Sequence, residues 1–119
     1  MTVTPEQLAQ VLVERRRQRR LVHEQHAAQC RERLPTLVVR LAREYHFTRA
    51  WLIGSLVVGT FGEHSDVDVV VEGLADDRIG AVWGALEDGL ATPVDLLRIE
   101  SLSDSFRARV LREGVLVYE

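Results

Sequence analysis

Asp66 and Asp68 flank Val67 in the segment DVDVVVEG, whose β-branched content predicts a strand over 66–72. Strand alternation then sets both carboxylates on one face and Val67, Val69 and Val71 on the other. Two carboxylates ~7 Å apart along one face repel each other unless solvent or a cation neutralises them, and an all-oxygen donor set suits Mg²⁺. Asp95, inside the apolar run PVDLLRIE, offers a third acid. Three such acids on neighbouring strands can hold two metal ions about 3.5–4 Å apart, the spacing that clamps the attacking and leaving oxygens in phosphoryl transfer. Upstream, Gly54 and Ser55 close another apolar run. Glycine lets the backbone approach a ligand, and the Ser55 hydroxyl with the N–H groups of a short helical turn over 56–59 would meet a phosphate. Ser65, beside Asp66, joins them as a nucleotide-binding candidate. Taken singly, the acids also read as solvated strand residues and Ser55 as a helix N-cap.

These residues need a framework that brings distant segments together. Beyond Phe47 the chain alternates short apolar runs with helical spacing, which predicts β-α-β-α-β-α-β with strands over 50–54, 66–72, 93–99 and 115–118. Helices are expected over 76–90, from the spacing of Ile79, Val82, Trp83, Leu86 and Leu90, and over 103–112 with Gly114 as C-cap. Trp51, Trp83 and Phe106 fall in apolar phase and are assigned to the core. At the N-terminus, Thr4-Pro5-Glu6-Gln7 predicts a helix start with a capping box. An apolar stripe resumes at Ala27 and runs to Tyr45, with Pro35 expected to kink or restart the helix near Arg33 or Leu34. Two helices, or one bent one, are expected. The fold class is α+β with a mixed sheet.

Composition narrows the chemistry. All 15 basic residues are arginine, so no lysine is available as a nucleophile, Schiff-base former or phosphate-loop lysine. Residues 1–50 carry 10 Arg and 5 Glu, whereas residues 51–119 carry 5 Arg and 13 Asp or Glu. One cysteine, Cys30, and the absence of a long apolar run give no disulfide framework and no membrane span, and a cytoplasmic protein is expected. His23 and His26 lack further ligands nearby in sequence and read as surface or interface residues, and His64 as a loop residue near the acids.

Taken together, GSLVVGTFGEHSDVDVVV resembles the GS-x₁₀-DxD motif of the polymerase β-like nucleotidyltransferases, with Gly54, Ser55, Asp66 and Asp68 at the motif positions. Asp95 matches the third carboxylate of that family, and the ending LREGVLVYE looks like the close of its minimal group. The resemblance implies a polymerase β-like core over residues 34–119 with an N-terminal helical extension over 1–33. It implies transfer of a nucleotidyl group, usually AMP from ATP, to a hydroxyl with release of pyrophosphate. Asp66, Asp68 and Asp95 would be catalytic and would hold two Mg²⁺ ions, and Gly54 and Ser55 would hold the triphosphate of ATP or another NTP. Many minimal members are similar to antitoxins paired with a HEPN-type toxin, some of which attach AMP to a toxin tyrosine. Position 58 departs from the pattern: valine stands where many members carry arginine, leaving Arg78 or Arg98 as replacements near the phosphates.

That departure supports one alternative, a catalytically weak or inactive binding module that neutralises a partner by contact; a second alternative, an aminoglycoside-type small-molecule nucleotidyltransferase, is disfavoured by the short chain. Residues 14–20, ERRRQRR, offer no apolar face and no interleaved aromatic residue, which favours a solvated or protein-facing helix over a nucleic-acid contact. A polar extension that cannot bury itself predicts docking to a partner protein or a homo-oligomer through residues 5–33.

Overall fold

The structure is a computed structural model that describes residues 2–54 and 66–119. Helix α1, Pro5–Tyr45, opens as the sequence predicts: Thr4 Oγ1 accepts from the Gln7 N–H at 3.2 Å while the Thr4 N–H donates to Gln7 Oε1 at 3.0 Å. It closes on His46, in the left-handed region at φ 62°, whose N–H donates to the Ala42 carbonyl. Pro35 does not divide it: of the two helices or one bent helix expected, the chain forms a single helix of 41 residues with Pro35 inside it. Pro35 itself is exposed, while Leu34, Leu37 and Val38 beside it are buried and hold the helix against the sheet. At 1.5 Å per residue such a helix is about 61 Å long, which accounts for the 62 Å long axis of the molecule.

Four strands form one mixed sheet in the order β3-β2-β1-β4: β1 Arg49–Ile53, β2 Val67–Glu72, β3 Val94–Arg98 and β4 Val115–Tyr118. β1 runs antiparallel to β2 and β4, and β2 runs parallel to β3. Helix α2, Ile79–Leu90, follows a 3₁₀ turn at Asp76–Arg78, and helix α3, Asp104–Glu113, starts at Ser103, whose Oγ accepts from the Phe106 N–H, and ends at Gly114. The short helical turn expected over 56–59 lies outside the described residues.

Alternation along β2 divides the apolar residues between two faces. Val67, Val69 and Val71 pack with Leu34, Leu41, Leu86 and Leu96 in the main core, while Val70 packs with Trp51, Ile99 and Val110 on the α3 side. Trp83 and Phe106, assigned to the core, are only partly buried against these two clusters. The start of β3 is pinned by α2: the Val94 N–H donates to Glu87 Oε2 at 3.1 Å and Trp83 Nε1 donates to the Val94 carbonyl at 2.5 Å. This fixes the strand one residue before Asp95.

Candidate active site

The candidate residues meet at one end of the sheet. Asp68 is the register partner of Ile53 on one side and of Asp95 on the other. Neighbouring strands lie about 4.8 Å apart, so Asp68 and Asp95 are adjacent and Gly54, next after Ile53, closes the group. Asp66 is exposed and stands one residue before β2, where the sequence reading had placed it inside the strand. Asp68 and Asp95 are each half-buried.

Gly54 is shaped by its neighbour. Its φ is +81°, and a Cβ there would stand 2.3 Å from Asp68 Oδ2. Only a residue without Cβ gives both that backbone turn and that clearance. The sequence reading gave this glycine a role in ligand approach. The requirement found here is room for a carboxylate, which no local motif announces because it depends on the β1–β2 register.

The electrostatics link the three acids. Burial pushes the Asp68 carboxyl above the usual carboxylate range, and the negative charges of Asp95 and Asp66 push it further in the same direction. A carboxylate raised by its own neighbours has a direct use for a cation. Among the described residues, no three His, Cys, Asp or Glu side chains enclose an ion by themselves. The acids form an open, one-sided, all-oxygen face, which fits Mg²⁺, an ion that keeps several waters and is usually bound through one or two carboxylates plus substrate phosphates. Beside this face lie Ile53, the register partner of Asp68, and Leu97, two residues from Asp95, partly buried over the α3-side cluster.

Arg78 and Arg98 do not replace the arginine missing at position 58. Arg98 pairs with Val71 in the register, three rungs or about 10 Å along the strands from Asp68 and Asp95, on the opposite face, and its Nη1 meets Asp76 Oδ1 at 2.5 Å. Arg78 Nη1 donates to the Tyr45 carbonyl at 3.3 Å. Both guanidinium groups are committed to the end of the sheet away from the acids. Ser55, Val58, His64 and Ser65 lie outside the described residues. His23 and His26 lie on the half of α1 that precedes the buried stripe, and His26 Nε2 is 3.9 Å from Cys30 Sγ.

A mixed four-stranded sheet with a carboxylate cluster at the β1–β2–β3 end is the frame of a nucleotidyl-transferring enzyme class, and the chain belongs to the polymerase β nucleotidyltransferase family, whose profile matches residues 37–119. Among solved structures, a protein assigned as a minimal nucleotidyltransferase is 28% identical with a TM-score of 0.67, over 75% of this chain and 93% of that one. A toxin–antitoxin crystal structure with AMP-PNP is 24% identical with a TM-score of 0.62, over 71% of this chain and 72% of that one. A tri-AMPylated HEPN toxin from Shewanella oneidensis in complex with its MNT antitoxin gives 21% identity and a TM-score of 0.55, over 71% and 68%. The last two share the fold alone. Curated protein sequences give no match. Among the described residues no helix is long and apolar enough to cross a membrane.

Proposed function

We propose that the chain transfers a nucleotidyl group, AMP from ATP, to a hydroxyl of a protein partner, and that this partner is a HEPN-type toxin for which the chain is the antitoxin, acting in the cytoplasm. The observation that carries the reading is the Asp68–Asp95 register pair beside Gly54, with Asp66 close enough to raise the Asp68 carboxyl further. Asp66, Asp68 and Asp95 would hold two Mg²⁺ ions, which when bound supply charge neutralisation at the phosphoryl oxygens. Gly54, Ser55 and Ser65 would seat the triphosphate.

The chain's own residues then have defined tasks. The acceptor hydroxyl oxygen forms a bond to the α-phosphorus, the bond from that phosphorus to the α,β-bridging oxygen breaks, and pyrophosphate leaves with the electron pair. Asp95 takes the hydroxyl proton or passes it to solvent. Ile53, the register partner of Asp68, and Leu97, two residues along the strand from Asp95, would limit water on one side of the acids. Residues 1–33 serve as the extension that holds the partner and 34–119 as the nucleotidyltransferase domain, with Ala27 and Cys30 tying the extension to the core. Toxin–antitoxin neighbours of the same fold support a protein acceptor. The contact-only reading is the second candidate, favoured by Val58 and by the commitment of Arg78 and Arg98 elsewhere.

The test is incubation of the purified chain with co-purified partner, radiolabelled ATP and Mg²⁺. Label is expected on the partner, and its loss in Asp66→Asn and Asp68→Asn. Neutralisation of the partner that survives both substitutions, with no label in the wild type, would establish the contact-only reading.

A further inference from the structure

Helix α1 has two halves with different faces. From Ala27 onward the stripe Ala27, Cys30, Leu34, Leu37, Val38, Leu41 and Ala42 is buried. Before Ala27 no residue of the helix is buried, and Leu8, Val11, Leu12 and Val22 are among the exposed large apolar side chains. Continuing the seated stripe backwards at about 100° per residue first reaches His23, Arg20 and Arg16, all polar, and then Leu12 and Ala9. Leu8, Val11 and Val22 lie along another line, about 100° round the helix, that runs through Leu8, Arg15 and Val22, seven residues apart, with Gln18 and Arg19 beside it; Leu12 borders the seated face, and the exposed Val13 and Leu21 lie on other faces. That line is not an extension of the core face, and it lies in the N-terminal segment outside the family match, which begins at residue 37.

Its pattern is apolar, basic, apolar. Leu8 and Val22 each stand about 10 Å along the axis from Arg15. Five arginines fall within residues 15–20, while the three acids of residues 5–26, Glu6, Glu14 and Glu24, stand outside that run. The arm of a second copy does not match this line in a centred pairing. Parallel pairing sets Arg15 on Arg15, and antiparallel pairing centred on the arm sets ERRRQRR on itself, so like charges face each other. A nucleic-acid strand meets the arginines but leaves Leu8, Val11, Leu12 and Val22 in water with no aromatic platform.

We infer that residues 5–26 form an arm that docks an amphipathic helix of a different protein, carrying acidic side chains at its centre and apolar ones about 10 Å to either side. The inference rests on the reading that the extension serves a protein partner, and it names that partner's contact chemistry. Central charge complementarity sets axial register and on-rate, and the apolar ends supply the burial.

The experiment uses the full chain and three labelled probes: a helical peptide of about 20 residues with leucines at both ends of one face and glutamates between them, the same peptide with glutamines, and a single-stranded RNA of about 20 nucleotides. Fluorescence anisotropy is expected to show binding of the glutamate peptide, weakened by raising salt and reduced at least about tenfold by the pair Arg15→Glu and Arg19→Glu or by the pair Leu8→Ala and Val22→Ala. All these positions are exposed, and circular dichroism checks that the helix persists. Tighter binding of RNA than of the glutamate peptide overturns the inference. So does no peptide binding, equal binding of the glutamine peptide, or sedimentation showing that the arm pairs with a second copy. Asp68→Asn is expected to bind the peptide as the wild type does, so that failure of nucleotidyl transfer and failure of the docking arm give different results.

Discussion

Gly54→Ala separates two effects that one methyl group would cause. The first is backbone strain: a non-glycine residue held in the left-handed region, here at φ +81°, costs about 1–2 kcal/mol. In a chain of this size that lowers Tm by roughly 4–10 °C. The second is displacement. A Cβ at 2.3 Å from Asp68 Oδ2 must be relieved to an ordinary contact near 3.5 Å, so the carboxylate moves by about 1 Å. The carboxylate is the free end of a side chain and can swing, which keeps the stability cost small. Its position beside Asp95 is what changes, and a misplacement of about 1 Å can lower transfer about a hundredfold. Gly54→Asn distinguishes the two, because asparagine tolerates the left-handed region yet carries the same Cβ. Thermal melts with and without about 10 mM Mg²⁺ or Mn²⁺ give the readout. Both variants should lose the cation-induced rise in Tm, while only alanine shows the larger fall in cation-free Tm. Equal falls in Tm, with the cation response intact in both, would refute the clearance argument.

Asp68→Asn tests the electrostatics. A native pKa above the ordinary carboxylate value means that the folded chain holds the proton more tightly than the unfolded one. The stability this contributes is full below the unfolded value and is lost as pH rises through the native one. The asparagine variant should therefore gain Tm relative to wild type as pH climbs from about 4 towards 8, and a pH-independent difference would count against it. Leu41, buried at 1% exposure in the main core, should lose about 2–5 kcal/mol on substitution by alanine in denaturant unfolding. Leu8→Ala, on the exposed half of the same helix, should change stability by under about 1 kcal/mol in the same assay, because only local contact is lost and alanine is the better helix former.

Much of this fold is legible locally. The valine run of β2, the Ser103 and Gly114 ends of α3 and the Thr4–Gln7 box each declare themselves within a few residues, because propensity and capping act at short range. Pro35 misleads for the opposite reason: the burial of Leu34, Leu37 and Val38 is a tertiary term that outweighs a missing hydrogen bond. In the candidate site, the adjacency of Asp68 and Asp95 follows from two strand patterns being parallel neighbours, and the spacing hinted at it. The turning away of Arg98 follows from alternation, since it stands three residues after Asp95 in one strand. The clearance at Gly54 does not follow from spacing, because it depends on the β1–β2 register, which one strand's sequence leaves undefined until its partner is known.

The unbroken passage of α1 from exposed arm to seated helix makes it a ruler with a phase. A molecule docked at Leu8 and Val22 would be indexed to the sheet through the same helix that carries Leu34, with no glycine or proline between Val22 and Leu34. One residue added between the two halves turns the cargo by about 100° and moves it about 1.5 Å, while seven restore the angle within about 20° but carry it about 10 Å further out. For a partner docked on the arm, its distance and bearing from the sheet would be set by the count of residues between Val22 and Ala27.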